Sequence, residues 1–490
     1  MLSHEVYERA RLSRDARFDG QFFVGVKTTG IYCRPICPAV SPKRENVTFY
    51  PSAAAAGEAG FRPCLRCRPE CAPGTPAWSG TSTTVRRGLR LIAGGALDEG
   101  SIEQLAERLG VTGRHLRRLF AEHLGASPLA VAHTQRLHFA KRLIDQTDLP
   151  LNHVATAAGY GSVRRFNDAF KNTYGRSPRE LRRCSSEAAG DDGTLTVKLP
   201  WRKPFDWDGM LRFLAGRATP GVEQVIEAAY FRTALIDGNA AVIECRPDAA
   251  GENLCLSLHG VGTMSLFPLV QRIREMFDLD APVSDIGTLL GKDDLLRKLL
   301  RQNPGIRVPG AWDVFELTVR AILGQQISVK AATTLAGRIA ERYGQPITLP
   351  ESLGRTDGLS LNRLFPTPLK LSRARFNSMG IVGSRIETIR EVGRRTVNGI
   401  VDFDANHNPD HFREALTAIP GVGDWTAQYV AMRGLKFPDA FPASDLGLLK
   451  AIDASGATTA RGLQTRAQAW RPWRAYAAML LWSSLENSGG

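Results

Sequence analysis

Four cysteines near the N-terminus, Cys33, Cys37, Cys64 and Cys67, stand as C-x3-C…C-x2-C. A tetrahedral zinc site takes four soft ligands, commonly brought as two close pairs, and this spacing supplies them in that way. The constraint on folding is strong, because two short knuckles must meet and the chain between them must return on itself. There are eight cysteines in all, and five lie before residue 72. A secreted chain would spread them for disulfides, whereas crowding in a reducing compartment argues for metal. Spacing alone is equally compatible with a purely structural zinc site. Cys71 falls outside the two pairs and reads as a bystander.

A length of 490 residues predicts several domains, since one core rarely serves more than about 250–300 residues. Hydrophobic and charged fractions of 43% and 23% are those of globular protein, not of a disordered tail or a fibre. A net charge of +14 favours polyanionic partners such as nucleic acid. No run approaches the ~20 apolar residues of a membrane span. The opening residues lack the apolar stretch of a signal peptide, so the expected location is the cytoplasm.

Four blocks follow from composition and periodicity. Residues 1–77 are rich in Cys, Arg and Pro and end in a linker-like CAPGTPAWSG. Residues 78–185 read as helices, with Ser101 an N-cap candidate before IEQLAERLG. SEAAGDDG at 186–193 marks a boundary. Residues 194–305 read as α+β, with LTVKLP, AAVIECRP and LCLSLHG as strands and VEQVIEAAYF and PLVQRIREMF as helices. Residues 306–490 read as mostly helical.

The stretch GVKTTGIYCRPICPA…RENVTFYPSAAAAGEAGFRPCLRC resembles the N-terminal domain of the Ada alkylation-response family, densely across residues 10–70. The resemblance implies that Cys33 accepts a methyl group from a DNA methylphosphotriester. It also implies that Thr29, Arg34 and Arg44 contact phosphate. The chemistry is consistent, since thiolate is the nucleophile and zinc keeps it deprotonated. Four thiolates on zinc carry a formal charge of about −2, and methylation of one leaves about −1. That change favours binding to a phosphate backbone. The family often carries a basic residue just after the second cysteine, where this chain has Pro38-Ala39-Val40, with Lys43 nearby.

Two helix-turn-helix units form the internal repeat in 101–182. Ala106 and Gly110 stand at the first crossing, and Ala155 and Gly159 at the second. The G-Y-x-S…F…F-K…G-x-S-P pattern of the second unit resembles the AraC-type DNA-binding domain. Its recognition helices would present Arg114, His115, Arg117 and Arg118, then Arg164, Arg165 and Asn167. These side chains are equally able to form solvated faces or to touch only phosphates. Leu116, Leu119, Phe120, Phe166 and Phe170 are expected in the core.

Ile419-Pro420-Gly421-Val422-Gly423 reads as the turn of a helix-hairpin-helix, with Asp445 about twenty residues on. Glycines there let backbone N–H groups approach a phosphate, and a helix N-terminus follows. Asp445 also suits an ordinary helix N-cap. WDGMLRFLAGRATPGVE, VPGAWDVFELTVRAILGQQIS, LFPTP, PGVGDWTAQYVAMRG and WRPWRAYAAMLLW resemble the AlkA-type 3-methyladenine DNA glycosylase II family over most of 195–485. The resemblance implies Asp445 as catalytic group, Trp425, Tyr429 and Trp482 as base-pocket residues, and Gly421, Gly423 and Thr426 as DNA contacts. Gln326 stands where relatives carry an apolar wedge, with Ile327 beside it. Trp425 replaces the lysine of lyase-type relatives, and no cysteine follows Cys255, so neither a Schiff-base nucleophile nor an iron–sulfur cluster is expected.

The expected architecture is multi-domain and mainly α with α+β parts: a four-cysteine zinc domain, a double helix-turn-helix, an α+β domain and a helical helix-hairpin-helix glycosylase domain. The expected cofactor is one zinc ion. The implied partners are duplex DNA, damaged and promoter, and RNA polymerase, with no membrane. The implied function is phosphotriester repair that switches on transcription, joined to excision of 3-methyladenine- and 7-methylguanine-type bases. The alternatives are a regulator with a structural zinc site and a weak or inactive glycosylase fold, and a repair enzyme whose N-terminal half only localises it. Nothing resembles the Pro-Cys-His-Arg acceptor motif of O6-alkylguanine repair, and that activity is not expected.

Overall fold

A computed structural model describes residues 3–72, 83–98, 100–182, 194–260, 266–353, 356–401, 403, 409–453 and 458–486. The expected boundary at 186–193 and most of the linker after Cys71 lie outside the described residues.

The N-terminal block folds on a four-stranded sheet of order β3-β1-β2-β4, with β1 at Phe23–Val26, β2 at Ile31–Cys33, β3 at Val47–Tyr50 and β4 at Arg62–Pro63. β1 pairs antiparallel with β2 and β3, and β2 pairs parallel with β4. This topology brings the end of β2, which is Cys33, beside Cys64 just after β4. Phe22, Phe23 and Tyr32 are buried beneath it.

The repeat takes the expected form. Ser101 caps Ile102–Arg108 in a capping box with Gln104, and Gly113–Leu124 follows. A 19-residue helix, Pro128–Gln146, leads to the second pair, Leu151–Ala157 and Val163–Tyr174. Gly110 and Gly159 hold φ of +71° and +79° in the two turns, which only glycine adopts without strain. Leu116, Phe120, Phe166 and Phe170 are fully buried.

A five-stranded antiparallel sheet of order β5-β9-β8-β7-β6 follows, with β5 at Leu195–Pro200, β6 at Glu223–Ile226, β7 at Ala229–Ile236, β8 at Asn239–Pro247 and β9 at Asn253–His259. The expected helix over VEQVIEAAYF is instead the β6–β7 hairpin. Glu227 and Ala228 sit at φ +47° and +61°, the left-handed pair of a two-residue hairpin turn. Val225 faces Tyr230, and Glu223 faces Arg232. Helix formers yield here because pairing in a buried sheet outweighs intrinsic propensity. The helix expected over PLVQRIREMF is present as Leu266–Met276.

Packing does not respect the block boundaries. One continuous core runs from Leu137 in the helix between the two helix-turn-helix units, through the second unit and the sheet, to Leu481. Phe139 meets Phe267 at 5.2 Å between centroids. A second core joins Ala54 and Ala55 of the N-terminal block to the first helix-turn-helix unit. No described helix is long and apolar enough to cross a membrane.

Candidate active site and metal centre

The Sγ atoms of Cys33, Cys37, Cys64 and Cys67 all lie within 4.8 Å of one another. Zinc with bonds of about 2.3 Å to four sulfurs sets them about 3.8 Å apart, a spacing that the bound on this cage admits. The donor chemistry fits as well. Four thiols this close compete for protons: hydrogen bonding with Cys37 and Cys64 pushes Cys33 up, while hydrogen bonding with Cys33 holds Cys37 down to about 7. A divalent cation resolves that competition by holding all four as thiolates. Cys71 lies outside the set.

The phosphate contacts expected around this cage fare differently. Thr29 and Arg44 are exposed. Arg34 instead turns inward: its guanidinium pairs with Asp19 (Nε to Oδ1, 2.8 Å) and donates to the Cys67 carbonyl at 3.1 Å. Its backbone N–H donates to Cys67 Sγ at 3.3 Å. It braces the cage, and only a rearrangement of the Asp19 pair would bring it to DNA.

On the first recognition helix, Arg114, Arg117 and Arg118 are exposed and His115 is half-buried. Arg117 is held by Glu103 at 2.8 Å, and Arg118 shares a 3.2 Å hydrogen bond with His115. Arg164, Arg165 and Asn167 are exposed on the second helix.

In the distal half, helices from distant parts of the chain enclose a cleft of about 930 Å³ that reaches from Gln326 to Trp482. Asp445 stands in its wall as the N-cap of Leu446–Ile452. Its Oδ1 accepts from the Leu448 N–H at 3.0 Å and from Trp482 Nε1 at 2.9 Å. Its Oδ2 accepts from Trp425 Nε1 at 2.8 Å. A carboxylate offers about four acceptor positions, so three N–H groups orient it and leave one for a substrate or water. Asp445 is therefore both a helix N-cap and a wall of the cleft.

Trp425 and Tyr429 lie one turn apart on Asp424–Arg433 and stack at 5.3 Å with planes 10° apart. Trp482 meets Tyr429 edge-on at 6.3 Å. The three rings expected to form the pocket thus converge around Asp445.

Gly421, at φ +89°, makes the hairpin turn. A Cβ there would come within 2.2 Å of Thr388 Oγ1, so glycine is required. Gly423 has open space where its Cβ would be, and it begins Asp424–Arg433 with no side-chain cap. No side chain caps the first N–H groups of that helix, which leaves them available to an anion. Thr426, the third residue expected to contact DNA here, holds its side chain inside. It is buried, and its hydroxyl accepts from Gln325 Nε2 at 3.1 Å.

Gln326 is exposed at φ +58°, a left-handed conformation unusual for a side-chain-bearing residue. Such strain costs of order 1–3 kcal/mol and persists only where neighbours enforce it. Here Gln325 anchors the loop to the hairpin through Gly421 O (3.0 Å) and Thr426. Ile327 turns towards the core, leaving Gln326 at the tip.

Sequence reasoning missed the cleft's basic lining. Arg217, Arg320 and Arg433 all face it. Arg433 donates to Tyr429 Oη at 2.5 Å. Burial would raise the Tyr429 phenol, but the Arg433 and Arg217 guanidiniums outweigh it and hold it below its usual value. Arg320 is partly neutralised by Glu223 at 2.7 Å and Glu316 at 3.3 Å, both of which also bind Arg232. The available signal for Arg320 and Arg433 was an arginine at the end of a mostly apolar stretch, in FELTVRAIL and QYVAMR.

Comparison with known proteins agrees with this geometry segment by segment. The metal-binding domain of Ada matches residues 7–70, and a helix-turn-helix domain matches 105–184. The AlkA N-terminal domain matches 196–313, and the HhH-GPD superfamily of base excision DNA repair proteins matches 319–475. A probable bifunctional transcriptional activator/DNA repair enzyme AlkA of Mycobacterium tuberculosis is 40% identical over 99% of this chain and 97% of its own length. DNA-3-methyladenine glycosylase 2 of Escherichia coli is 31% identical over 58% of this chain and 95% of its own. A 3-methyladenine DNA glycosylase from Archaeoglobus fulgidus shares the distal fold, with a TM-score of 0.52 at 21% identity, over 60% of this chain and 99% of its own. A four-cysteine cage, a helix-turn-helix pair and a hairpin-gated aromatic cleft, matched along one relative's whole length, place this chain in the family of bifunctional transcriptional activators and DNA repair enzymes that join Ada-type and AlkA-type parts.

Proposed function

We propose that the chain repairs methylated DNA at two chemically different places and reports the damage to transcription. The work divides along segments 1–77 for methyl acceptance, 78–185 for DNA reading, and 194–305 with 306–490 for base excision. The carrying observation is the carboxylate of Asp445 fixed between the indole N–H groups of Trp425 and Trp482.

A base inside a duplex must be swung out before its glycosidic bond is reachable. The uncapped N–H groups after Gly423 hold a phosphate beside the cleft, and Gln326 at its strained tip occupies the gap left behind. The extruded base enters among Trp425, Tyr429 and Trp482. Alkylation at N3 or N7 makes a purine cationic, which favours the aromatic faces and weakens the bond to the sugar. As the C1′–N bond breaks, electrons leave with the base and positive charge grows on the sugar. Asp445 stabilises that charge and orients the attacking water through its remaining acceptor position. The Arg217 and Arg433 guanidiniums meet the base's oxygen and nitrogen acceptors. Because they repel a cation, positive charge is best placed towards the rings and Asp445. Trp425 in place of a lysine makes hydrolysis, not lyase chemistry, the outcome.

At the other end, Cys33, Cys37, Cys64 and Cys67 would hold zinc, which when bound keeps Cys33 a thiolate at neutral pH. The Cys33 sulfur attacks the methyl carbon of a phosphotriester. A carbon–sulfur bond forms, the carbon–oxygen bond breaks, and the phosphodiester leaves as an anion. Nothing reverses this, so each molecule acts once and the lost negative charge strengthens its hold on DNA.

The test is base release from methylated duplex DNA. Release of 3-methyladenine or 7-methylguanine by the wild type and not by Asp445→Asn supports the reading. No release by folded, DNA-binding wild type overturns it in favour of a regulator with an inactive glycosylase fold.

A further inference from the structure

The helix Thr83–Ala93 precedes the first helix-turn-helix unit, yet two of its arginines end in the glycosylase half. Arg90 donates from Nη1 to the Leu435 carbonyl at 2.6 Å and from Nη2 to the Lys436 carbonyl at 3.4 Å. Its Nε lies 3.0 Å from Glu275. Arg86 lies with its guanidinium 5.2 Å from the centre of the Phe437 ring. Burial, with Arg90 and Arg87 nearby, lowers Arg86 to about 9.

The segment they grip is the turn that ends Asp424–Arg433, the helix bearing Trp425, Tyr429 and Arg433. Leu435 and Phe437 are buried there. Lys436 is buried at φ +57°, a strained conformation that surrounding contacts must enforce. A cation at a helix C-terminus is also the favourable sign for the helix dipole. On the opposite side Arg433 fastens the same helix to the carbonyls of Pro309 (2.8 Å) and Gly310 (3.1 Å). The register of Tyr429 and Arg433 in the cleft is therefore set by two clamps. One of them comes from the DNA-reading half.

We propose that Arg90 is a positioning residue of the base-excision site, contributed by the regulator half, so that the glycosylase cleft is complete only with residues 83–93 docked. The proposal rests on the excision reading above. It turns the fusion from two tethered activities into one site built by both halves. Arg90 touches no substrate and acts through the turn at 435–437.

The experiment uses the full chain, well below its unfolding temperature, and measures single-turnover base release and duplex affinity separately. Arg90→Ala is expected to slow release on the order of tenfold, less than the ~100-fold that a 1 Å misplacement of reacting groups can cost. Duplex affinity should not change. Arg90→Lys keeps the charge but cannot span both carbonyls, and is expected to fall between the two. Glu275→Gln removes the ion pair while leaving both carbonyl contacts, and should release base like wild type. Wild-type release rates in both Arg90 variants would overturn the proposal, as would an equal loss in Glu275→Gln. Absence of release in the wild type itself would overturn the excision reading and this inference with it.

Discussion

Asp445 answers to three donors, and the two indole N–H groups among them are separately removable. Asp445→Asn keeps its size but loses its charge. It is expected to lower base release by on the order of 10²–10³, the loss typical of removing a transition-state charge stabiliser, with duplex binding retained in a gel-shift measurement. Trp482→Phe keeps an aromatic ring, though a smaller one, and removes the Nε1 donor 2.9 Å from Oδ1. It should cost less, and should act on the rate of release more than on affinity. Equal losses in affinity and rate would mean that the ring, not its N–H, carries the role of Trp482.

His138 offers a test of a different kind. Its Nε2 shares a 2.8 Å hydrogen bond with the Tyr32 hydroxyl, next to Cys33. Burial, with a smaller contribution from Arg142, lowers its pKa to about 3. The folded value lies below the unfolded value of about 6.5, so folding excludes a proton that the unfolded chain accepts. Stability from this group is complete above pH ~6.5 and is lost as pH falls from there towards 3. His138→Gln should flatten the pH dependence of the unfolding midpoint between pH 6 and 5. An unchanged slope would mean the imidazole protonates freely in the folded chain.

At the scale of elements, turns carry the sharpest expectations. Gly421→Ala places a methyl within 2.2 Å of Thr388 Oγ1 at φ +89° and should destabilise the hairpin and abolish release. Gly423→Ala meets open space and should leave thermal stability almost unchanged. Ala228→Gly, at φ +61° in the β6–β7 turn, should stabilise by about 0.5–1 kcal/mol. The same turn shows what was hidden in the sequence. VEQVIEAAYF has helix-forming composition, and only its partners in the sheet, Glu223 with Arg232 and Val225 with Tyr230, make it a hairpin. By contrast, the N-cap at Ser101, the glycine turns and the two cysteine pairs were legible because each is a short-range device. The guanidiniums of Arg217, Arg320 and Arg433 converge from three distant segments, and local pattern carries no trace of such a meeting. Arg34 and Thr426 are expected as DNA contacts. Asp19 draws the first inward and Gln325 the second.

The whole molecule is more continuous than its four matched segments suggest. The core from Leu137 to Leu481 joins half of the reader to most of the excision apparatus, while the first helix-turn-helix unit packs on the cysteine-bearing block. Removing metal with a chelator should therefore loosen the N-terminal block and the first helix-turn-helix unit. The excision half should keep its fold, visible as a new low-temperature transition in calorimetry beside an unchanged main one. A single transition shifted as a whole would mean the two cores unfold together.

The central claim, two repair chemistries in one chain, is tested most directly by incubating the full protein with methylated duplex DNA and reading both products from one reaction. The account predicts a single added methyl group on the peptide containing Cys33, reached once and then constant, while alkylated purines continue to be released over many turnovers. Release without methylation of Cys33, or methylation without release, would contradict it.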